Sequence, residues 1–160
     1  FLEGLRAICD EHGICLIADE VQTGFARTGK LFAHEHYGFE PDLITLAKSI
    51  AGGFPLSGVL GKSDLLDAAH DGDVGVTFLG NEVALAAARA VLDVIDEEVI
   101  CERATAIGET MRERMLAWQE RFPAIGDVRG LGLMIGVELV KEDGTPDPDA
   151  FPAISSRDIS

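Results

Sequence analysis

Two short apolar runs, each stopped abruptly by a charged residue, constrain this chain more than any other feature. Ile14-Cys15-Leu16-Ile17-Ala18 ends at Asp19, and Leu43-Ile44-Thr45-Leu46-Ala47 ends at Lys48. Continuous apolar runs of this length read as strands buried on both faces, which occur in sheets covered by helices on each side. A third run, Pro55 to Leu60, follows Gly52-Gly53. Helical patterns alternate with these runs. Leu2, Leu5, Ile8 and Cys9 share one face before His12-Gly13, and a strong helix is predicted from Glu82 to Glu98. Another runs from Val99 to Phe122, with Ala104, Ile107, Met111, Met115 and Trp118 three or four residues apart and Pro123 as its stop. Residues Asp127 to Val140 alternate glycine with apolar side chains and read as strand, and the tail from Glu142 to Pro152 is acidic and Pro-rich. The order predicts an α/β layer with a largely parallel sheet, a boundary near Glu97 to Val99 and a second unit beyond it.

Charge narrows the functional classes. A formal net charge of −15 and a pI near 4.4 leave too few cations to neutralise a phosphate backbone, which excludes nucleic acid as the partner. The same charge suits either solvation in high salt or a general acidic solubility bias. No apolar run approaches the ~18 residues of a membrane span, so no membrane role is expected. Cys9, Cys15 and Cys101 are odd in number and lack a CxxC spacing, and read as reduced core thiols of a cytoplasmic protein. The chain opens at Phe1 inside a helical pattern and stops at Ser160 without a closing element, so a segment of a longer protein is expected.

In open parallel sheets, functional groups collect beyond the carboxyl ends of the strands. Asp19 and Lys48 both stand there, 29 positions apart. An acid and an amine so placed can face one crevice. They can equally form a buried ion pair or two solvated charges, and spacing alone does not separate these readings.

The surrounding residues are more specific. Ile17-Ala18-Asp19-Glu20-Val21-Gln22-Thr23-Gly24-Phe25-Ala26-Arg27-Thr28-Gly29, then Pro41 through Lys48 to Gly53, then Gly75-Val76-Thr77-Phe78-Leu79-Gly80-Asn81, resemble the class III (omega) aminotransferases, which have the fold type I architecture and use pyridoxal 5′-phosphate. The resemblance implies that residues 1–97 belong to the large cofactor domain, with its mainly parallel sheet, and that residues 98–160 are a linker helix and the start of the small C-terminal α+β domain. It implies that Lys48 forms a Schiff base with the cofactor aldehyde and, once released, moves a proton between substrate and cofactor. Lysine suits both tasks because its amine adds to carbonyls and loses its proton readily when desolvated. It further implies that Asp19 holds the pyridine nitrogen protonated, that Val21 packs on the ring, that Gln22 reaches the ring hydroxyl, and that Thr77 reaches the cofactor phosphate of the partner subunit in a homodimer. Val21 lies two residues beyond Asp19, so in extended chain the two would point to the same side. Three departures stand out: Ala26 replaces a usual glycine, Glu82 a usual proline and Leu85 a small residue.

The stretch Leu56 to Lys62, with residues 42–53, is most similar to the 4-aminobutyrate branch of that family. The implied reaction is ping-pong transfer from an omega-amino acid donor to an oxo acid. Branches acting on ornithine or acetylornithine, those pairing an omega-amino acid with pyruvate, and the glutamate-1-semialdehyde aminomutases share the same residues. The family's upstream phosphate loop, ring-stacking aromatic and downstream carboxylate-binding arginine fall outside these residues, so the segment alone is expected to be inactive.

Other signals are weaker. His34-Glu35-His36 with Asp42 could be drawn as a metal site, but the spacing that faces two histidines the same way is absent and no metal is expected. Gly130-Leu131-Gly132 has the wrong spacing for a dinucleotide loop, and Leu56-Ser57-Gly58 does not complete a nucleophile elbow. Arg27 is expected to hold its own loop, and the charges from Arg112 to Arg121 to form a wet helix face.

Overall fold

A computed structural model describes residues 1–70, 73, 75 and 79–150, and the chain divides into two compact units, Phe1–Ala104 and Thr105–Ser160. In the first, helix α1 (Leu2–His12) ends at Gly13, whose φ of 63° lets the chain reverse and its N–H bond back to Asp10. Strand β1 (Ile17–Asp19) pairs in parallel with β2 (Leu43–Leu46), and β2 pairs antiparallel with β3 (Gly58–Gly61), giving the order β1-β2-β3. The parallel expectation therefore holds for β1 and β2 but not for β3. A parallel return needs a crossover of a dozen or more residues, usually helical, whereas residues 47–57 contain only the short 3-10 turn Lys48–Ala51.

Burial also differs from expectation. β1 has three residues rather than five, and Ile17 is 54% exposed. One side of β1 faces α1 and the 3-10 turn Ala33–Tyr37 across a cavity of about 270 Å³ lined by Leu2, Leu5, Leu16 and Phe39, while Ile14, Ile17, Val59 and Leu60 remain exposed. Cys9 is buried as expected, but Cys15 is exposed because it lies in the connector before β1, and Cys101 is half-buried.

One buried carboxylate ties the sheet together. Asp42 accepts from the Leu16 N–H at 2.7 Å, Arg6 Nη1 at 2.8 Å and Lys62 Nζ at 2.5 Å, linking α1, the approach to β1, the start of β2 and the exit of β3. The Leu16 N–H, then Lys62 and Arg6, hold its carboxyl far below the usual carboxylate range.

After the single turn α2 (Ser63–Leu66), helix α3 (Glu82–Glu97) starts at Asn81, whose Oδ1 accepts from the Val83 and Ala84 N–H groups at 3.1 Å each. Glu82 sits in its first turn, where a negative charge complements the helix dipole, so the departure from proline preserves the helix start. Helix α4 (Ile100–Arg121) follows Val99, which takes a left-handed φ of 47°.

In the second unit the expected single strand over Asp127–Val140 is a hairpin of β4 (Ile125–Leu131) and β5 (Met134–Leu139), because Gly132, at φ 53°, starts a two-residue turn with Leu133. Gly108 of α4 lies against that turn: a Cβ there would stand 2.0 Å from the Gly132 carbonyl oxygen. No helix among the described residues is long and apolar enough to cross a membrane.

Candidate active site

The parallel register of β1 and β2 sets Asp19 opposite Thr45, and three residues further on the chain reaches Lys48. Asp19 and Lys48 therefore leave the same end of adjacent strands. The Thr45 hydroxyl donates to Asp19 Oδ1 at 3.2 Å, and the Val21 N–H donates to the same oxygen at 3.0 Å. This capture of a backbone N–H two residues ahead turns the chain and ends β1. Val21 is consequently in a turn rather than in extended chain, and the period-two argument for its direction does not apply. Asp19 Oδ2 has no partner among the described residues, and Asp19 is exposed.

Lys48 opens the 3-10 turn Lys48–Ala51 with φ 48°, a left-handed conformation that costs a residue with a Cβ about 1–2 kcal/mol. Such a conformation persists only where surrounding structure imposes it, and it concentrates at functional positions. Here the turn is seated by Ala51, which is fully buried, and by α3, whose Val91 lies beside Gly52. Lys48 Nζ donates to Gln22 Oε1 across the gap between the two loops. Among the described residues Lys48 and Asp19 do not form an ion pair with each other, so the structural salt bridge that spacing allowed is not what these groups make.

The loop that carries Gln22 is rigid for a separate reason. Glu20 is 3% exposed and accepts from the Thr23 hydroxyl and from the His34 N–H at 2.9 Å, with His34 Nδ1 3.2 Å away. Burial pushes its carboxyl up, but these bonds, with the Ala33 N–H, outweigh burial and hold it below its ordinary value. His36 Nε2 lies 3.1 Å from both Thr28 oxygens, so the two histidines weighed as metal ligands face Glu20 and Thr28 instead. Among the described residues no group of three or more His, Cys, Asp or Glu is placed to hold a metal.

The structure thus brings Asp19, Val21, Gln22 and Lys48 to one strand end, whereas Thr77 lies outside the described residues. Sequence reasoning missed Thr45, although it is the one polar residue inside the second apolar run and only parallel registration places it on Asp19. It also missed Ser49, whose hydroxyl accepts from Arg27 Nη2 at 2.8 Å and Nε at 3.1 Å. Arg27 therefore holds more than its own loop.

An acid and a lysine leave the same end of a parallel strand pair in this α/β unit, and comparison with known proteins fixes the family. The family model "Aminotransferase class-III" matches residues 1–155, and the chain belongs to that family, with the fold type I architecture. It is 52% identical over 150 residues to a 4-aminobutyrate aminotransferase of Escherichia coli, covering 94% of this chain and 35% of that protein. It is 54% identical over 149 residues to a 5-aminovalerate aminotransferase of Pseudomonas putida, covering 93% and 35%. Among solved structures, a taurine:2-oxoglutarate aminotransferase from Bifidobacterium kashiwanohense, in complex with PLP and glutamate, superposes with a TM-score of 0.89 at 30% identity, covering 98% of this chain and 37% of that one. The chain spans about a third of the length of the relatives it matches.

Proposed function

We propose that this chain carries the lysine and aspartate of a pyridoxal phosphate site in an enzyme that transfers the amino group of an omega-amino acid, of the 4-aminobutyrate type, to an oxo acid in two half-reactions. The observation that supports this most is the exit of Asp19 and Lys48 from adjacent parallel strands, with a free carboxylate oxygen on one and a strained backbone under the other. The cofactor fits these groups: Asp19 Oδ2 is available to accept from an N–H donor, and the Lys48 amine has only a side-chain amide to leave.

Pyridoxal phosphate, when bound, supplies an aldehyde carbon that takes up amines and a ring that accepts the electron pair left when a substrate carbon loses its proton. The chain's residues supply the rest. Thr45 and the Val21 N–H orient the Asp19 carboxylate, which would hold a proton on the pyridine nitrogen. Val21 would pack on the ring, and Gln22, bonded here to Lys48, would bond to the ring hydroxyl. Lys48 Nζ would hold the cofactor and, once released, carry a proton to and from the substrate carbon. Thr77 would reach the cofactor phosphate of a partner subunit in a homodimer; on the same reading residues 1–97 belong to the large domain and 98–160 are a linker helix and the start of the small one, and the enzyme is cytoplasmic.

The test uses the full-length protein with pyridoxal phosphate. Borohydride reduction and peptide mapping should place the label on the Lys48 peptide; in a separate, unreduced sample 4-aminobutyrate should yield about one equivalent of its aldehyde per site alone and turn over repeatedly only when an oxo acid is present. Label elsewhere, or rearrangement of a substrate without an oxo acid, overturns the reading.

A further inference from the structure

We propose that Arg27 is a positioning residue for Lys48, acting through Ser49. The inference rests on the cofactor reading above but concerns a contact that reading does not use. Lys48 is held at φ 48°, and the residue before it, Ala47, contributes no side-chain cap to the turn. The backbone bonds at the two ends of the turn are long, Ile50 N–H to Ala47 O at 3.2 Å and Gly52 N–H to Ser49 O at 3.4 Å. A short turn with long bonds at its ends gains from a side-chain contact made outside it.

Arg27 meets that need. Its guanidinium directs Nε and Nη2 at one oxygen, Ser49 Oγ, at 3.1 and 2.8 Å, on the residue directly after Lys48. A planar fork that spends two donors on one acceptor constrains direction as well as distance. The base of the fork is itself fixed. Phe25 and Ala26 take φ of 60° and 70°, Ala26 is 1% exposed, Thr28 is 5% exposed, and the Phe25 N–H bonds to Leu31 O at 2.8 Å. The same loop presents Gln22 to Lys48 Nζ. The loop 20–29, buried at Glu20, Gly24 to Ala26, Thr28 and Gly29, is thus the anchor and the Lys48 turn is the part it steadies: the exposed Gln22 acts on the lysine's amine, and the exposed Arg27 on the backbone beneath it. Arg27 touches neither substrate nor cofactor in this account.

The experiment compares Arg27→Ala, Ser49→Ala, Ser49→Thr and the double Arg27→Ala/Ser49→Ala variant in the full-length protein. Three quantities are read: hydrogen exchange at the Ile50 and Gly52 amides before cofactor is added, the rate at which added pyridoxal phosphate becomes borohydride-fixable on the Lys48 peptide, and the pH midpoint of the bound cofactor's visible band. Both alanine variants should exchange these amides about tenfold faster and capture the cofactor about tenfold more slowly. Both should shift the pH midpoint, with kcat falling and the KM for the amino donor unchanged. The double variant should be no worse than either single one, since both remove the same contact, and Ser49→Thr, which keeps a hydroxyl, should behave as wild type. Effects that multiply in the double variant, or a Ser49→Thr protein that behaves like Ser49→Ala, overturn the proposal, as do unchanged exchange and an unchanged midpoint. A wild-type protein without label on the Lys48 peptide refutes the cofactor reading instead, and amide exchange then decides the clamp by itself.

Discussion

Gly108→Ala is a substitution whose sign the helix and the tertiary contact predict differently. In an isolated helix alanine is favoured over glycine by about 0.5–1 kcal/mol. At Gly108, however, the new Cβ would lie 2.0 Å from Gly132 O, 2.4 Å from Gly132 C and 2.7 Å from Gly132 Cα. Carbon and a carbonyl oxygen approach to about 3.3–3.6 Å even in a favourable contact. Helix or hairpin must therefore retreat by more than ~1 Å. The hairpin yields poorly, because Gly132 sits at φ 53° in a two-residue turn whose register is fixed by the β4–β5 ladder. Overpacking of this kind costs about 1–3 kcal/mol, which exceeds the helical gain and leaves a net loss of about 1–2 kcal/mol. Hydrogen exchange at the β4–β5 amides of the full-length protein reads this directly, and a loss of that size raises the opening equilibrium roughly 5- to 30-fold. Gly4→Ala is the control: nothing lies within 4 Å of its built Cβ, so α1 should gain up to about 1 kcal/mol. A Gly108→Ala protein whose hairpin amides exchange at the wild-type rate, or more slowly, would refute the packing argument.

Three further outcomes follow from the same contacts. Asp19→Asn keeps an oxygen for Thr45 and Val21 but removes the charge; an ion pair at ~4 Å and an effective dielectric of ~20 is worth about 4 kcal/mol before desolvation, so kcat should fall by up to about 10³ while the cofactor band persists in titration. Because the folded Asp42 carboxyl titrates well below its unfolded value, its contribution to stability is complete above about pH 4 and is lost as pH falls from there. Acid denaturation should therefore begin in that window, and Asp42→Asn, less stable at neutral pH, should show a flatter pH dependence between pH 4 and 2 by circular dichroism. Ala26→Gly should raise the thermal midpoint, since glycine adopts φ 70° without the ~1–2 kcal/mol cost to a Cβ-bearing residue, whereas Phe25→Gly, at φ 60° but with a buried ring, should lower it.

The apolar runs ending at Asp19 and Lys48, the helix stops at Gly13 and Pro123, and the start of α3 after Asn81 were legible because each depends on neighbours in the chain: hydrophobic period, caps and breakers act over a few residues. That Asp19 and Lys48 stand at strand ends was legible for the same reason, since each closes its own apolar run. The errors have a common cause. The antiparallel entry of β3, the split of the Asp127–Val140 run into a hairpin and the exposure of Ile17 and Cys15 depend on which element packs where.

What the sequence by itself determined is the position of most helices and apolar runs, with an acid and an amine at the ends of two of them, because backbone propensity and side-chain chemistry are local properties. Only the tertiary structure decided that Thr45 rests on Asp19, that Arg27 reaches Ser49, that Asp42 joins Arg6, Leu16 and Lys62, and that Gly108 must stay bare. Those contacts join residues up to 36 positions apart, and their distances are set by strand register and packing, which no single stretch of chain encodes.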